Sequence, residues 1–311
     1  MRQGPHHFQT LVEPYIRISY NRDLDPTAQT FLATKKHGLP IVQTDDPTTE
    51  ELLHFLEISQ LAARAGGDCL LKWLGRAEVS QKGPRDFVTE ADIEAQTIIQ
   101  KILLDRFPDH QFVGEESSAA RNVSADSDEY CWIVDPLDGT TNFIHQLRSF
   151  AVSIALYRSG KLLVGTVFDP LLDECYSAAT GQGATLNGKP IQSSTCTAVK
   201  DALLVFSLPA GVKSDDPQVL RFIRVVEQAS SLRRLGSAAL NLCYVACGRT
   251  DGYWANCLKS WDVAAGWLIL EEAGGVISDY HGAKPDLNNP CFCIAATEEL
   301  IQELRPLLAI D

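Results

Sequence analysis

Near the middle of the chain an apolar run leads directly into two closely spaced aspartates. The run ends at Val134, and Asp135 and Asp138 follow it before Gly139 and two threonines. A continuous apolar run that ends in a turn signal predicts a buried strand, so both carboxylates are expected at the end of that strand, close to the core. They either brace a turn or bind a cation, because an isolated ionised carboxylate is costly to bury.

The composition is typical of a soluble globular protein with an acidic surface. The 311 residues carry a formal net charge of -13. This charge disfavours nonspecific binding to nucleic acid or anionic lipid, since both select basic surfaces, and an anionic substrate would need local cations. No stretch approaches the ~20 apolar residues that cross a bilayer, and the N-terminus lacks an apolar signal core. We expect no nucleic-acid or membrane partner, and a location in the cytoplasm or in the soluble phase of an organelle.

The cysteines indicate a reduced protein. There are nine of them, an odd number, in apolar contexts such as Cys243 and Cys247, which is typical of core packing in the cytosol. Cys291 and Cys293 lie close together, but a second pair of cysteines or histidines for a zinc site is not evident. We therefore expect these two to pack as well.

Hydrophobic periodicity divides the chain into an extension and a folded domain. Residues 1–45 show no sustained period and predict an irregular N-terminal extension. A capping-box sequence at Thr48 opens a long helix, so we expect a folded domain over residues 46–311. An antiparallel meander follows the aspartates, and strands then alternate with helices after a soft internal boundary near residue 195. The fold class is mixed α and β.

Three acidic clusters supply candidate metal ligands. They are Glu115 and Glu116 in GEES, Asp135 and Asp138 in DPLDGT, and Asp262 in WDVAAG. Each follows or interrupts an apolar segment, so bringing them together without compensation would be opposed by desolvation and mutual repulsion. Magnesium suits such an all-oxygen site, with water and a substrate phosphate completing its octahedral coordination.

The turn after the two aspartates predicts a phosphate site. The DPLD spacing lets Asp135 and Asp138 face one pocket, where the carbonyl of Leu137 can also coordinate a cation. Gly139 permits close approach, and the helix that begins at Thr140 would direct free N–H groups at a phosphate. Each residue alone also fits a structural role in a turn or a cap, so the functional interpretation depends on their combination.

Five stretches of the chain resemble the inositol monophosphatase family of magnesium-dependent, lithium-sensitive phosphatases, over roughly residues 50–305. The stretches are DFVTEAD (86–92), FVGEES (112–117), WIVDPLDGTTNF (132–143), RRLGSAALNLCYVACGRTDGYW (233–254) and WDVAAGWLILEEAGG (261–275). The resemblance implies a layered αβαβα sandwich, commonly a homodimer. It also implies hydrolysis of a small phosphorylated metabolite by metal-activated water, most simply of an inositol phosphate.

The resemblance further implies roles for the matched residues. The implied ligands of two or three Mg²⁺ ions are Glu115, Asp135, the Leu137 carbonyl, Asp138 and Asp262. Catalytic roles in orienting and activating water fall to Asp92, Thr140 and Glu115. Contacts with the substrate are implied for Asp138, Gly139, Thr140, Ala238, Ala255 and Asp262. Lys82 and Glu116 would be supporting residues.

Substrate choice is left open by one departure from the family pattern. A glutamate usually lies seven residues before the WD aspartate and contacts substrate hydroxyls, and the equivalent residue here is Ala255. An unmet polar group in such a pocket changes discrimination by ~1–3 kcal/mol. Asn256 or Lys259 can replace that contact, a shifted loop can supply it, or the ester can differ. Histidinol phosphate, fructose 1,6-bisphosphate and nucleotide 3′-phosphates are precedented in the family.

Two other functions stay open as alternatives. Haloacid-dehalogenase-type phosphatases also place an aspartate before Asp-Gly-Thr, but with one intervening residue, where this chain has Pro136 and Leu137. In that scheme the first aspartate attacks phosphorus directly. The second alternative is a noncatalytic metal- or phosphate-binding relative with residues 1–45 as a contact arm. The intact set of acidic residues argues against it.

Arg233 and Arg234 invite a phosphate-binding interpretation as well. They are neighbours in a predicted strand and therefore face opposite sides of it. We expect one of them to form a surface ion pair.

Overall fold

The computed structural model describes residues 46–83, 86–117, 124, 127–209 and 211–310, with the side chains of residues 81–83 and 86 left out. The extension expected over residues 1–45 lies outside the described residues. Within the described ranges, no helix combines the length and the apolar character that a membrane span requires.

The first half of the described chain builds a seven-stranded sheet. Helix α1 (Thr49–Trp73), the hairpin of β1 (Val79–Gly83) and β2 (Asp86–Thr89), and helix α2 (Glu90–Arg106) precede it. The sheet contains, in spatial and chain order, β3 (Gln111–Gly114), β4 (Cys131–Asp138), β5 (Ala151–Arg158), β6 (Lys161–Asp169), β7 (Glu174–Ala179), β8 (Ala184–Leu186) and β9 (Lys189–Pro190), with the short helix α3 (Thr140–Ile144) after β4. β3 and β4 are parallel and the later pairs are antiparallel, as the predicted meander requires.

The second half builds a five-stranded sheet and four helices. The elements in chain order are β10 (Leu203–Phe206), α4 (Pro217–Val226), β11 (Ser231–Arg233), α5 (Ala238–Ala246), β12 (Gly252–Ala255), α6 (Ser260–Glu272), β13 (Val276–Ser278), β14 (Phe292–Ala295) and α7 (Glu298–Leu308). The spatial order of the strands is β11-β10-β12-β14-β13, in which β10 is parallel to both of its neighbours.

These elements form five layers, and the predicted αβαβα sandwich is confirmed. Helices α1 and α2 cover one face of the seven-stranded sheet, α5 and α6 lie between the two sheets, and α4 and α7 form the last layer. Strand β4 shows why its sequence is continuously apolar. Trp132 and Val134 belong to the apolar cluster under α1 and α2, whereas Ile133 belongs to the cluster with α5 and α6. Successive strand residues face opposite sides, so a strand buried on both faces needs apolar residues throughout.

Helix α6 approaches β6 so closely that a glycine is required. A Cβ added at Gly165 would lie 2.6 Å from the carbonyl oxygen of Ala265 and 3.1 Å from its Cα. These neighbours are helix backbone, which cannot yield as a flexible side chain can. Asp262 lies in the first turn of α6. The contact at Gly165 therefore helps to set the position of this carboxylate relative to the seven-stranded sheet.

We expect Gly165→Ala to lower the free energy of unfolding by ~1–3 kcal/mol, because the added methyl group overpacks the contact between sheet and helix. Urea unfolding measures this loss. Lys161→Ala is the control in the same strand. It removes an exposed ion pair with Asp46, which is worth at most ~1 kcal/mol. Unchanged stability of Gly165→Ala would contradict the close approach of α6.

Candidate metal centre

A β-bulge in β4 brings Asp135 and Asp138 to the same side of the sheet. Asp135 lies opposite Ser153 and Asp138 lies opposite Ala151, so three steps along β4 match two steps along β5. Residues three apart in a regular strand face opposite sides, and the one extra residue of a bulge reverses this relation. The DPLD spacing is therefore what allows the two carboxylates to meet.

Asp262 completes a cluster of three carboxylates. Asp135, Asp138 and Asp262 each offer an oxygen atom, and these atoms all lie within 4.8 Å of one another. Asp262 is held at the start of α6, where its Oδ2 accepts a hydrogen bond of 2.7 Å from the N–H of Lys259. In the described part of the chain no lysine or arginine forms an ion pair with these three aspartates.

One serine links the strand of Asp135 to the helix of Asp262. Ser153 lies opposite Asp135 in the sheet. Its hydroxyl donates a hydrogen bond of 3.1 Å to the carbonyl of Trp261. The first turn of α6 is thereby fastened to β5, directly beside the bulge.

The N-terminus of α5 orients Asp138. The Ser237 hydroxyl and the Ala239 N–H both donate to Oδ2, the latter at 2.8 Å, and the Ala238 N–H donates to Oδ1 at 3.1 Å. A carboxylate is favoured at this end of a helix because the free N–H groups carry partial positive charge. Ser237 was missed by the sequence analysis. Its signal is its position just before the helical pattern, where serine is a favoured N-cap.

Glu115 and Glu116 follow β3 beside the bulge. The Glu115 N–H donates to the carbonyl of Val134 at 3.1 Å, which places Glu115 next to Asp135. Glu115 lies outside the group of three clustered aspartates, but its negative charge contributes to the raised pKa values of Asp135 and Asp262. Burial, and then the negative charge of Glu115, raise the pKa of Asp135 well above its usual range. The Glu116 N–H donates to the side-chain oxygen of Gln96 at 2.9 Å.

Asp92 and Thr140 form a second group at the edge of the cluster. Asp92 is buried in the first turn of α2, where its Oδ2 accepts hydrogen bonds from the Thr89 N–H at 2.8 Å and from the Thr89 hydroxyl at 2.6 Å. The Thr140 hydroxyl lies 3.5 Å from Asp92 Oδ1 and donates to the Leu137 carbonyl at 3.2 Å. Burial raises the pKa of Asp92 to about 6. A titratable carboxyl thus contacts a hydroxyl that also contacts the bulge.

Gly139 joins the bulge to α3 in a conformation that requires glycine. Its φ is 99°, in the left-handed region. A Cβ at this position would lie 3.0 Å from the carbonyl oxygen of Ser149. Both the dihedral angle and the lack of space exclude larger residues without strain. Glycine at this position therefore lets the chain leave the bulge in close contact with the backbone of Ser149 and Phe150.

Three predicted residues remain, namely Ala255, Lys82 and Ala238. Ala255 is fully buried at the end of β12, and its carbonyl accepts a hydrogen bond of 3.1 Å from the Tyr280 hydroxyl. The side chain of Lys82 lies outside the described residues. Ala238 is buried at the start of α5.

The expected surface ion pair of Arg233 or Arg234 is wrong for the described chain. Arg233 donates to the Ser231 hydroxyl at 2.6 Å and to the Leu232 carbonyl at 2.9 Å. Arg234 donates to the Leu208 carbonyl at 3.1 Å. Backbone and hydroxyl oxygens at the ends of the strands accept from both guanidinium groups, where a carboxylate was expected.

The electrostatics of the cluster fit a hard cation. Burial raises the pKa of Asp138 to about 6, and burial followed by the charge of Asp138 raises the pKa of Asp262 to about 8. Three carboxylate oxygens lie close together with raised pKa values, and among the described side chains no cation pairs with them, so this donor set lacks compensating positive charge there. Carboxylate and carbonyl oxygens are the ligands that magnesium and calcium prefer, so this arrangement fits a divalent metal ion.

The comparisons with known proteins agree with this fold. The family model described as the inositol monophosphatase family matches residues 51–309. This match covers most of the chain, and the chain belongs to the inositol monophosphatase family. The family consists of metal-dependent phosphoric monoester hydrolases.

Individual relatives are similar over most of their length. The inositol-1-monophosphatase of Mesorhizobium japonicum is 39% identical over 251 residues, which covers 79% of this chain and 92% of the relative. The Nus factor SuhB of Escherichia coli is 39% identical over 231 residues, covering 73% and 85%. Among solved structures, the inositol monophosphatase from Anabaena superposes with a TM-score of 0.74 at 35% identity, covering 83% of this chain and 96% of the other.

Without metal, the stability of the folded protein should fall as the pH rises. A carboxyl group whose pKa is raised by folding stabilises the fold below its unfolded value of 3.8, and this contribution is lost as the pH rises through the folded values of about 6 and about 8. We expect the free energy of unfolding in EDTA to fall by more than ~2 kcal/mol between about pH 5 and pH 8.5. Urea unfolding at each pH measures this profile.

Asp262→Asn is the matched variant for this profile. It keeps an oxygen to accept from the Lys259 N–H, and we expect it to flatten the upper part of the pH profile in EDTA. Saturating Mg²⁺ should flatten the wild-type profile as well. A wild-type profile in EDTA that is already flat would show that the carboxylates do not repel one another.

Proposed function

We propose that this protein hydrolyses a small-molecule phosphate monoester with magnesium as its cofactor, most simply an inositol monophosphate. The observation that carries the proposal is the cluster of three aspartate oxygens beside the contact of Thr140 with Asp92. A metal ion at such a site can bind the phosphate oxygens as a Lewis acid. The neighbouring hydroxyl–carboxyl pair can accept a proton from the attacking water. Family membership supports the same reaction class.

The proposed ligands divide between two main positions. Asp135, Asp138 and Asp262 would hold one Mg²⁺ ion through their clustered oxygens. Glu115, Asp135 and the Leu137 carbonyl would hold another, and a third and weaker ion would lie near Glu115. When bound, these ions supply positive charge for the phosphate oxygens and the leaving group, and they increase the acidity of water.

The residues of the chain then position the reactants. Gly139 and Thr140 would offer backbone N–H groups to the phosphate at the start of α3, where the left-handed φ of Gly139 turns the chain from the bulge into the helix. Thr140 holds the attacking water through its hydroxyl. The water passes a proton to the Thr140 oxygen as Thr140 passes its own proton to Asp92. A pKa of about 6 leaves Asp92 ionised at neutral pH, so it is able to accept that proton.

Assembly and inhibition are proposed by family resemblance, and location is proposed from the apolar and cysteine patterns of the sequence. We infer a homodimer in the cytoplasm, or in the soluble phase of an organelle, that is sensitive to lithium. The net charge of -13 supports a small metabolite rather than nucleic acid or membrane as the partner. Relatives at about the same identity carry two names, inositol-1-monophosphatase and Nus factor SuhB. The presence of Asp92, Thr140 and all three clustered aspartates favours catalysis in this chain.

Asp135→Asn should abolish most of the magnesium-dependent activity. We expect kcat/KM for inositol 1-phosphate to fall by at least ~100-fold, because the variant lacks the carboxylate shared by both proposed metal positions. Phosphate release with and without Mg²⁺ measures this, and circular dichroism checks the fold. Asp173→Asn is the control, since Asp173 is an exposed ion-pair partner of Arg64. Normal turnover by folded Asp135→Asn would refute the metal assignment.

Thr140→Ala should lower kcat by ~100-fold or more while KM changes little, because the lost hydroxyl acts on the attacking water rather than on the bound ester. Thr141→Ala is the matched control, since its neighbouring side chain is exposed. Steady-state kinetics on inositol 1-phosphate separates kcat from KM. Equal activity of the two variants would remove Thr140 from the mechanism.

A further inference from the structure

Helix α3 buries a polar side chain that the proposed function does not use. This side chain belongs to Asn142 and is only 8% exposed. Asn142 closes the stretch DGTTN, in which Asp138, Gly139 and Thr140 already have proposed roles. A polar side chain is stable in the interior only where its hydrogen-bonding groups find partners. The partners of Asn142 therefore indicate what this residue does.

The amide group of Asn142 donates to two backbone carbonyls. Its Nδ2 donates to the carbonyl of Ser149 at 2.7 Å and to the carbonyl of Leu235 at 2.8 Å. These carbonyls lie 7 and 93 positions further along the chain. A side-chain amide has two hydrogens to donate, so both are used and the orientation of the side chain is fixed. Asn142 thus connects α3 to two separate segments.

The first of these segments packs against the turn after the bulge. The Ser149 carbonyl oxygen would lie 3.0 Å from a Cβ added at Gly139. The backbone of Asn142 helps to bring this segment back to α3, because its carbonyl accepts a hydrogen bond of 2.8 Å from the Leu147 N–H. Asn142 therefore holds the Ser149 carbonyl beside Gly139, at the start of the turn that would receive the phosphate.

The second segment leads directly to Asp138. Leu235 is followed by Gly236 and then by Ser237, whose hydroxyl donates to Asp138 Oδ2. Gly236 has a φ of 91°, and a Cβ at this position would lie 2.8 Å from Asn142 Nδ2. Both the dihedral angle and the close approach of the amide require glycine. The contact with Asn142 thereby fixes loop 235–237, which carries Ser237 and leads into α5.

We propose that Asn142 is a positioning residue of the metal site, which acts on Asp138 through loop 235–237. The inference rests on the proposed function and adds a residue to its site. The two hydrogen bonds from Asn142 set the distance between α3 and the N-terminus of α5. Without them loop 235–237 shifts, and Ser237 and the N–H groups of α5 no longer orient Asp138 for a metal ion.

Mg²⁺ binding by Asn142→Leu tests the proposal. Leucine is similar in size to asparagine but has no hydrogen-bond donor, so a role in packing alone predicts an unchanged affinity. We expect the dissociation constant for Mg²⁺ to rise by ~5-fold or more, because two buried carbonyls lose their donor. Calorimetry on metal-free protein measures this constant, and circular dichroism checks the fold. Thr141→Ala is the control, an exposed neighbour in α3, and should leave the constant unchanged.

A double-mutant cycle identifies the route from Asn142 to Asp138. In a Ser237→Ala background, Asn142→Leu should weaken Mg²⁺ binding by only ~2-fold or less, because both changes interrupt the same path. Ser153→Ala is the matched background, since the Ser153 hydroxyl acts on a different helix through the Trp261 carbonyl. There Asn142→Leu should keep its effect of ~5-fold or more. A general loosening of the core would lower the affinity equally in both backgrounds.

The outcomes separate this inference from the proposed function. Unchanged Mg²⁺ affinity of folded Asn142→Leu, or equal effects in the two serine backgrounds, would overturn the inference while wild-type hydrolysis of inositol 1-phosphate still supports the function. Wild-type protein that neither binds Mg²⁺ nor releases phosphate would overturn both. Should Asn142→Leu fail to fold, the smaller change Asn142→Ser, which keeps a single and shorter donor, takes its place in the same measurements.

Discussion

Repulsion among carboxylates at the end of β4 is the constraint on which the site depends. The bulge at Pro136 and Leu137 directs Asp135 and Asp138 to one side, and α6 adds Asp262 to within 4.8 Å. Such an arrangement opposes folding unless positive charge is supplied, as the raised pKa values of all three groups indicate. Among the described residues, the compensation comes from backbone N–H groups at the N-terminus of α5 and in the first turn of α6, and no lysine or arginine pairs with the three aspartates. The proposed metal ions would neutralise the remaining negative charge.

The layered fold is what holds this unfavourable cluster in place. Strand β4 is buried on both faces, so the bulge cannot move without disturbing two apolar clusters. Helix α6 is fixed by the backbone contact at Gly165 and by the hydrogen bond from Ser153 to Trp261. Each contact joins segments about 100 residues apart in the chain. The free energy of core packing is thus what maintains the carboxylates in a reactive arrangement.

The sequence predicts the chemistry of the site better than its geometry. The apolar run, the DPLD spacing and the glycine before Thr140 indicated the strand, the paired carboxylates and the turn. The bulge was not predictable, because a pattern of two intervening residues does not show which strand neighbours will pair. The contact of Ser237 with Asp138 spans 99 positions and depends on tertiary structure. The ion pair expected of Arg233 or Arg234 is absent among the described residues for the same reason, since periodicity gives the side that a residue faces but not the groups that it meets there.

One titration tests the central claim that the carboxylate cluster is the metal site of a phosphatase. Metal-free protein is titrated with Mg²⁺ in a calorimeter, and phosphate release from inositol 1-phosphate is measured over the same concentrations. We expect activity to rise with metal occupancy. Asp262→Asn should lose both the binding of one Mg²⁺ ion and the activity. Undiminished phosphate release in EDTA, or full activity of a variant that no longer binds the metal, would contradict it.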